Sequence, residues 1–578
     1  MRDDFPQPQS KRRKWQTLNG QWEFAFGDET AGFNPFGNDA YPLSINVPFA
    51  YQCELSGIGD KNVHENVWYR RNFVLSPMLR ECKGVVLKFL ACDYACTVWL
   101  NGRFVLTHEG GYDAFSADVT KYLVPGEQII VVKVTDSLSK TQPRGKQTWL
   151  DRSQRCWYLP TTGIWQSVWL EGNNGDYIEN YRISPDPDRL TVTLDLYTAY
   201  GNADGISATV ISPSREKYTL NCEAIGTAHK LTLDVKRPDP IDGVHLWSPD
   251  NPVIYGLSIT LKKQDEILDE VETYFAFRSV YVKGDKIYLN HKPLTMKLVL
   301  DQGYWADGGM TAPDAEAFKR DITLAKKMGF NGARKHQKAE DPYFYYYADM
   351  LGFLVWAETP SCYEFSVKSV KALTSAHARL IEKVYNHPSV IAYVPLNESW
   401  GTGEILYDKR QNAFAKSLYH LTKAMDDTRL VITNDGWENV EATDVVTVHD
   451  YSKYGENFAE KYRAPKDDLY PMWKRLMAFG EHLPDLPVML SEYGGITVSK
   501  DGGWGYSGAE KGEEDFLKRF EKLNENAFSG VFCGGCYTQL TDVEKETNGL
   551  LDERHNPKYS VSAIREIMDK FDEKEKIL

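Results

Sequence analysis

The chain has 578 residues and a formal net charge of −14, with 67 basic and 81 acidic side chains. A chain of this length exceeds one hydrophobic core and predicts about three or four domains. The acidic balance excludes a general nucleic-acid binder and favours a soluble protein. No apolar run reaches the roughly 18 residues of a membrane helix, and the N-terminus lacks the apolar centre of a signal peptide. We therefore expect no membrane partner and a cytoplasmic location, or a leader already removed.

Neither the basic cluster nor the cysteines indicate a functional site. The basic cluster from Lys11 to Lys14 lies beside the N-terminus and is predicted to be a solvated tail. The nine cysteines are scattered and odd in number, which is typical of reduced packing residues. Cys533 and Cys536 have redox spacing but fall within a predicted strand, so we expect neither a redox nor a metal role for them.

Residues 1–173 alternate apolar and polar side chains in short runs without helical segments, which predicts a jelly-roll β-sandwich. The predicted strands are Trp22–Phe26, Val67–Val74, Val85–Leu90, Cys96–Leu100, Gln128–Val134 and Trp165–Glu171. The loops at 110–113 and 157–163 carry aromatic and amide groups that suit a sugar, although sandwich packing is the favoured explanation for any one of these residues.

Residues 174–280 form a second all-β region, whose length and pattern predict a small immunoglobulin-like sandwich. Its predicted strands are Leu190–Tyr197, Ala208–Ile211, Lys230–Val235 and Leu257–Lys262. The region contains no recognisable chemistry. We interpret it as a spacer that sets the first domain against the third.

The hydrophobic period changes after about residue 281. Phe318, Ile322, Ala325 and Met328 recur at helical spacing, and Gly329 ends that helix. Eight apolar runs end in polar side chains: Leu294–Leu300, Phe330–Ala333, Phe353–Ala357, Val390–Leu396, Leu430–Thr433, Val445–Val448, Pro487–Leu490 and Gly530–Cys536. Eight strands separated by helices predict a (β/α)8 TIM barrel over 281–578, with its functional side chains at one rim.

Two of these predicted strands end beside a glutamate. Asn397 and Glu398 follow the fourth strand, and Ser491 and Glu492 follow the seventh. A pair of carboxylates in one barrel mouth suits glycosidic bond cleavage, where one protonates the leaving oxygen and the other attacks the anomeric carbon or activates water. Either glutamate alone could simply end a strand and face water. Two glutamates at the ends of two barrel strands are a far more specific indication of a catalytic site than either one alone.

The chain resembles glycoside hydrolase family 2, the family of β-galactosidases, β-glucuronidases and β-mannosidases, over nearly its whole length. The matching stretches are LNGQWEF at 18–24, WYRRNF at 68–73, TTGIWQSVWLE at 161–171, FAFR at 275–278, NGAR at 331–334 and SEYGG at 491–495. By position, the resemblance implies that Glu398 is the acid/base and Glu492 the nucleophile. It also implies that Asn397 holds the sugar 2-hydroxyl, while Arg334 and Tyr451 orient and ionise the nucleophile.

Further substrate contacts are predicted at the strand ends: Asp301, Gln302, Asp435, Trp437, His449 and Gln539. We expect the cation of Arg334 to keep the nucleophile anionic. The acid must start protonated, so we expect Glu398 to lie in a less polar setting, near Trp400, that raises its pKa.

Departures from the family pattern bear on the sugar. Galactosidases of the family carry histidines after the first strand and just past the arginine, where this chain has Asp301-Gln302 and Gln337. Glucuronidases carry an Asn-x-Lys pair, whereas Asn548 here is followed by glycine and leucine. A carboxylate substrate needs a cation and Arg334 is already assigned, so we predict a neutral terminal sugar, with galactose first. The metal-binding positions of some galactosidases of the family are not recognisable in this sequence, and the mechanism as interpreted requires neither a metal nor a cofactor.

The preferred hypothesis is a retaining, exo-acting β-glycosidase whose pocket is closed by the N-terminal domain, with a glycoside or oligosaccharide as its partner. A β-glucuronidase, arabinosidase or mannosidase with a non-standard pocket stays open, as does a homo-oligomeric state. The third hypothesis is a non-catalytic carbohydrate-binding protein on an inactive barrel. It is disfavoured because both glutamates, the asparagine and the arginine are present.

Overall fold

The computed structural model describes residues 4–27, 34–37, 41–235, 245–498 and 502–571. These residues form two β-sandwiches followed by a parallel barrel, the predicted architecture. The outer ends of the predicted ranges, residues 1–3 and 572–578, lie outside the described residues.

The N-terminal sandwich packs two antiparallel sheets around one apolar core. Burial alternates along its strands, as in Ala95–Leu100, which directs Cys96, Val98 and Leu100 into that core. The four-stranded sheet contains, in spatial order, Trp15–Thr17, Val168–Asn173, Gly84–Phe89 and Phe115–Asp118. The six-stranded sheet contains Leu43–Val47, Gly20–Phe26, Asn66–Val74, Glu127–Thr135, Ala95–Leu100 and Arg103–Glu109. The domain also contains the strand pair Gly163–Ile164 and Cys92–Asp93, the short helix Pro77–Arg80, and two single-turn 3-10 helices, Glu54–Ser56 and Thr120–Tyr122.

The middle sandwich is also built from two antiparallel sheets. One contains Ile178–Asp186, Thr191–Thr198 and Ala228–Asp234. The other contains Lys217–Glu223, Gly205–Ile211, Tyr255–Lys263 and Glu266–Phe275. A small sheet of Val280–Lys283, Lys286–Leu289 and Lys292–Pro293 then leads into the barrel.

The barrel consists of eight parallel strands, as predicted. In chain order they are Met296–Asp301, Gly332–Lys335, Leu354–Glu358, Val390–Val394, Leu430–Val431, Val446–His449, Val488–Gly494 and Gly534–Thr538. The sheet curls so that the fifth and sixth strands, neighbours in the chain, lie at its two edges. Short parallel strands, Leu396–Asn397 and Asn434–Asp435, extend the fourth and fifth strands at the rim.

Helices surround the barrel, with one departure from the prediction. They are Ala315–Lys327, Pro342–Leu351, Val367–Val384, Lys409–Met425, Phe458–Tyr462, Glu513–Ala527 and Val561–Asp569. Polar caps explain where several begin: the Asp314 side chain accepts from the Ala317 amide, and Ser366 and Ser369 form a capping box. No helix joins the fifth and sixth strands. The stretch between them, 432–445, is fully described and forms a loop that contains the short strand Asn434–Asp435.

The basic cluster near the N-terminus is not simply a solvated tail, and that prediction was wrong. Arg13 is exposed, but Arg12 is buried between the two sandwiches. Its guanidinium lies 3.1 Å from Glu171 and 3.2 Å from Asp269, and it donates to the carbonyl of Ile178 at 2.6 Å. A buried cation shared by two carboxylates from different domains fixes their relative position.

The N-terminal sandwich also reaches the rim of the barrel. Trp165 was predicted to begin a strand but lies before the observed strand Val168–Asn173, and its carbonyl accepts from Thr311 Oγ1 at 2.7 Å. Arg144 and Gly145 donate their amides to the carbonyl of Ser361 at 2.9 and 3.1 Å. The loop after the first barrel strand, residues 302–314, is long enough to receive this domain.

The middle sandwich packs against the opposite end of the barrel. Arg278, from the FAFR stretch, donates to the carbonyls of Pro388 and Val390 at 3.0 and 2.8 Å. A groove of about 580 Å³ at this junction contains none of the predicted site residues. None of the helices in the described ranges combines the length and apolar character needed to cross a membrane, and all nine cysteines are free.

Candidate active site

Glu398 follows the rim strand Leu396–Asn397 in an unusual backbone conformation. Glu398 and Ser399 have φ of 53° and 60°, a left-handed region that non-glycine residues rarely adopt. The turn is held because the Glu398 amide donates to the carbonyl of Asp435 at 2.9 Å, and the Ser399 amide to Asn434 Oδ1 at 3.0 Å. Such strain persists only where surrounding contacts impose it, and here it directs Glu398 into the barrel mouth.

Glu492 lies within the seventh strand, which runs four residues beyond its predicted end at Leu490 and closes at Gly494. The pairing of the seventh strand with the eighth shifts register between Leu490 and Tyr493. The pairing of the sixth strand with the seventh shifts register at His449. A bulge of this kind re-aims a side chain. The Glu492 carboxylate accepts from Arg334 Nη1 at 3.2 Å and from Tyr451 Oη at 2.6 Å.

The two glutamates meet at His449. A ligand atom of each of Glu398, His449 and Glu492 lies within 4.8 Å of the other two. His449 Nδ1 is 2.9 Å from Glu398 Oε1 and 3.4 Å from Glu492 Oε2, and its Nε2 is 2.7 Å from Asp435 Oδ2. The imidazole is therefore surrounded by three carboxylates.

The charge of His449 decides the electrostatics here. Burial lowers its pKa, but Glu492 and Asp435 outweigh burial and raise that pKa to about 10. The expected increase in the pKa of Glu398 was wrong: burial raises it, but the hydrogen bond and charge of His449 are stronger and the net pKa is lowered. Trp400 contributes a further donor, because its Nε1 lies 3.2 Å from Glu398 Oε2.

The same three groups have a spacing that would suit a metal ion. A metal-bound histidine must be neutral and offer a free lone pair. At neutral pH, a pKa of about 10 keeps His449 protonated at both nitrogens. In that protonation state, His449 is a proton donor shared by the carboxylates.

Arg334 is the centre of a second, fully buried network. Its guanidinium lies 2.7 Å from Glu358, 2.7 Å from Asp435 and 3.2 Å from Glu492. Asn397 Oδ1 accepts from Arg334 Nη2 at 3.1 Å. These carboxylates outweigh burial and raise the pKa of Arg334, so the cation is permanent. The predicted residues Arg334, Asn397, Asp435, His449, Tyr451 and both glutamates thus form one cluster.

Asp301 does not join this cluster, although it was predicted to bind substrate. One of its oxygens accepts from the Gly303 amide at 2.8 Å and the other from Lys335 Nζ at 2.9 Å. Lys335 also contacts Glu340 at 2.9 Å. Both oxygens of Asp301 are therefore occupied by a buried ion-pair network of the protein itself.

Gln302 and Gln539 form a chain of amides with Asn548. Gln302 Nε2 donates to Gln539 at 2.9 Å, and Gln539 Nε2 donates to Asn548 at 3.1 Å. Trp437 packs on His449 with ring centroids 5.4 Å apart. Among the described residues, the buried atoms Gln302 Oε1, Asn548 Nδ2 and Trp437 Nε1 have no hydrogen-bond partner, so each has bonding capacity left for a substrate.

The N-terminal sandwich adds groups that the sequence did not reveal as site residues. Trp157 packs edge-on against Trp400, with ring centroids 5.2 Å apart. Tyr158 Oη lies 2.9 Å from Glu546, which follows the eighth barrel strand. Lys146 is buried close enough for its charge to lower the pKa of Glu398. The aromatic loop at 157–163 was the available signal, whereas nothing local marked Lys146 or Glu546.

A carboxylate pair in the mouth of an eight-stranded parallel barrel is the arrangement that glycoside hydrolases use. Three family models together match most of the chain: Glycosyl hydrolases family 2, sugar binding domain, at 15–172; Glycosyl hydrolases family 2 at 176–278; and Glycosyl hydrolases family 2, TIM barrel domain, at 280–572. The chain belongs to glycosyl hydrolase family 2.

The curated proteins that are similar to this chain are named for different substrate specificities. A putative beta-glucuronidase of Formosa agariphila is 23% identical, over 79% of this chain and 55% of that protein. A beta-galactosidase of Thermoanaerobacter pseudethanolicus is 25% identical, over 57% of this chain and 44% of that protein. The chain thus spans about half the length of these curated relatives.

Solved structures share the whole fold. A beta-galacturonidase from Eisenbergiella tayi has a TM-score of 0.75 at 19% identity and covers 99% of this chain, with 98% of that chain matched. A beta-glucuronidase from Ruminococcus gnavus has a TM-score of 0.77 at 21% identity, covering 99% of this chain and 100% of that one. At such identities the likeness concerns the architecture alone.

Proposed function

We propose that this protein is a retaining, exo-acting β-glycosidase that removes a neutral terminal sugar. The observation that carries the proposal is the closeness of Glu398 and Glu492, whose ligand atoms lie within 4.8 Å of each other. Inverting enzymes hold their carboxyl groups about 6.5–9.5 Å apart to admit a water molecule, and retaining enzymes about 5–5.5 Å apart. The short separation supports the retaining mechanism.

In the first step, a Glu492 oxygen forms a bond to the anomeric carbon as the bond to the leaving oxygen breaks. Glu398 transfers its proton to that leaving oxygen. In the second step, Glu398 takes a proton from water, the oxygen of that water bonds to the anomeric carbon, and the ester bond to Glu492 breaks. Arg334 and Tyr451 both contact Glu492 and are suited to hold its carboxylate in line.

His449 supplies the proton that the first step needs. Glu398 alone has a lowered pKa, but the 2.9 Å contact with His449 Nδ1 lets the two groups share one proton. A shift of that proton toward Glu398 gives the neutral acid and a neutral imidazole. The shared proton belongs to the pair, so the pH range in which protonated Glu398 is available depends on both residues.

The charge of the pocket favours a neutral sugar. Five carboxyl groups (Glu358, Glu398, Asp435, Glu492 and Glu546) accompany Arg334, His449, His336 and Lys146. The net charge therefore stays at or below zero even when all four bases are charged and Glu546 is protonated. A sugar carboxylate would add a negative charge to this buried set, which is costly.

A uronidase is the second candidate, and one observation favours it. The family motifs leave no cation for a sugar carboxylate once Arg334 is assigned, yet Lys146 is a buried residue whose charge interacts with both glutamates. A beta-glucuronidase and a beta-galacturonidase are among the proteins of similar fold. The choice between the candidates rests on the balance between Lys146 and the carboxyl groups around it.

Closure of the mouth supports the exo mode of action. Trp157 from the N-terminal domain packs on Trp400, which donates to Glu398, so one side of the mouth is closed by that domain. A closed end admits one terminal ring and excludes a passing polysaccharide chain. Digestion of an oligosaccharide should therefore release monosaccharide, and internal fragments would contradict this mode.

Two measurements test the proposal as a whole. The first is a panel of nitrophenyl β-galactoside, glucoside, mannoside, fucoside, glucuronide and galacturonide, with an α-arabinoside. We expect turnover of a neutral glycoside, and preferred turnover of a uronide would replace the first candidate by the second. The second is proton NMR of the first-formed sugar, which should show the anomeric configuration of the substrate. An inverted first product would refute the retaining mechanism.

A further inference from the structure

Lys146 is held firmly over the barrel mouth by its own segment. The preceding residue, Gly145, has φ of 59°, and a Cβ there would collide with the carbonyl oxygen of Gln337. Glycine therefore permits the N-terminal domain to approach the barrel rim at this point. The carbonyl of Lys146 accepts from the Tyr158 amide at 2.7 Å, which fixes its backbone.

Lys146 is a buried residue whose ammonium group has no polar partner within the part of the chain that the structure describes. Within the described ranges it makes no hydrogen bond and no ion pair, and it lies 5.8 Å from the centre of the Tyr158 ring. Burial lowers its pKa, but Cys156, Glu546 and the two glutamates outweigh burial and raise it. A cation on a largely buried residue is costly when the protein gives it no partner, so its donors are available to a group that the protein does not supply.

Glu546 offers the complementary acceptor from the barrel side. Its side chain is fully buried, and Oε2 accepts from Tyr158 Oη at 2.9 Å. Its other oxygen, Oε1, has no hydrogen-bond partner among the described residues. Burial is the first cause that raises its pKa to about 7, and the charge of Glu492 raises it further. Lys146 and Glu546 thus both lie close to the carboxylate of Glu492.

We propose that Lys146 and Glu546 together bind hydroxyl groups of the terminal sugar and determine which sugar the enzyme accepts. Lys146 would donate to one hydroxyl, and Glu546 Oε1 would accept from a neighbouring one. A hydroxyl group can both donate and accept a hydrogen bond. Two adjacent hydroxyls can therefore accept from the ammonium group of Lys146 and donate to the carboxyl oxygen of Glu546. This inference rests on the proposed glycosidase function and deepens it by identifying the groups that recognise a neutral ring.

A sugar carboxylate fits this pair less well. It would gain a contact with Lys146 but would meet a carboxyl group at Glu546 and another at Glu492. Each protein group comes from a different domain: Lys146 from the loop before Tyr158, and Glu546 from the loop after the eighth strand. Sugar selection would therefore depend on how the two domains meet.

The test compares Lys146→Met with the wild-type enzyme on its best nitrophenyl glycoside and on the singly deoxygenated forms of that glycoside. Losing one hydrogen bond to a charged group should lower kcat/KM about 10- to 100-fold. The deoxy substrate that lacks the contacted hydroxyl should lose activity with the wild-type enzyme but little more with Lys146→Met. A purely structural lysine would lower activity equally on every substrate.

Two further variants complete the experiment. Lys140→Met removes an exposed lysine from the same segment and should leave kcat/KM within about twofold, since surface charges contribute little. Glu546→Gln keeps the shape of the side chain and should lose activity toward a neighbouring deoxy position. It also carries the test if Lys146→Met does not fold, as judged by circular dichroism.

The outcomes separate this inference from the function on which it rests. A wild-type enzyme that hydrolyses a neutral glycoside, with a Lys146→Met variant unchanged in kcat/KM on every substrate, would overturn this inference alone. A wild-type enzyme that prefers a uronide and loses that preference in Lys146→Met would replace the hydroxyl contact by a carboxylate contact. Absence of hydrolysis on the whole panel would overturn the proposed function and this inference together.

Discussion

The hydroxyl of Tyr451 can be removed with little disturbance of the pocket, and Tyr451→Phe therefore isolates one contact of Glu492. The ring stacks on Tyr506 with centroids 4.6 Å apart and planes 16° from parallel, and phenylalanine would keep that stack. The hydroxyl itself donates to Glu492 Oε2 at 2.6 Å and lies 3.2 Å from Thr538 Oγ1. The contact with Glu492 is the stronger of the two because its acceptor is ionised.

The expected loss follows from that single bond. A hydrogen bond to a charged group contributes about 1.5–3 kcal/mol, which corresponds to roughly a 10- to 150-fold change in rate. The loss should fall mainly on the second step, because charge develops on the Glu492 carboxylate as it leaves the sugar, and Tyr451 donates to that charge. With a dinitrophenyl glycoside, kcat and KM should decrease together as the glycosyl-enzyme accumulates.

Stopped-flow absorbance measures this directly. Tyr451→Phe should show a burst of dinitrophenol equal to the enzyme concentration, followed by slow turnover. Tyr493→Phe is the matched control, because its hydroxyl donates to Asn524 at 2.7 Å, on a helix outside the carboxylate cluster. That control should lose stability but keep kcat. A Tyr451→Phe enzyme with kcat within about threefold of wild type and no burst would refute the assigned contact.

Three further predictions follow from the same geometry. Glu492→Ala should abolish turnover, and azide should partly restore it. Glu398→Ala should retain more activity on dinitrophenyl glycosides than on alkyl glycosides, because a good leaving group needs little protonation. If Glu398→Ala lost activity equally on both substrate types, the two assigned roles would be wrong. The pKa of His449 is about 10, so the shared proton is present below that pH and is lost as the pH rises through it. The value of kcat/KM should therefore persist into alkaline pH and decrease near pH 10. The variant His449→Gln should show that decrease at lower pH. Arg12→Met should lower the free energy of unfolding by about 3 kcal/mol, because it leaves the buried Asp269 without its cation, whereas Glu171 keeps Lys88 at 2.8 Å. A urea midpoint unchanged from wild type would contradict this.

Much of the fold and the centre of the site were predictable because they depend on local patterns. Continuous apolar runs mark strands that are buried on both faces, and all eight barrel strands were found that way. Parallel strands place their carboxyl ends at one rim, so Glu398 and Glu492 were expected to meet although they are far apart in the chain. The family motifs then identified Arg334, Asn397 and Tyr451 as their neighbours.

The remaining features depend on distances that no local pattern encodes. The pKa of Glu398 is set by His449, a residue 51 positions away whose side chain reaches it only in the folded barrel. Tyr158 and Glu546 are separated by 388 positions and lie in different domains, yet their side chains form a hydrogen bond. Periodicity reports which residues are buried, but the sequence by itself does not say which buried charges become neighbours. Only the tertiary structure, through the way the N-terminal sandwich meets the barrel rim, determined that Lys146 and Glu546 lie beside the carboxylate pair.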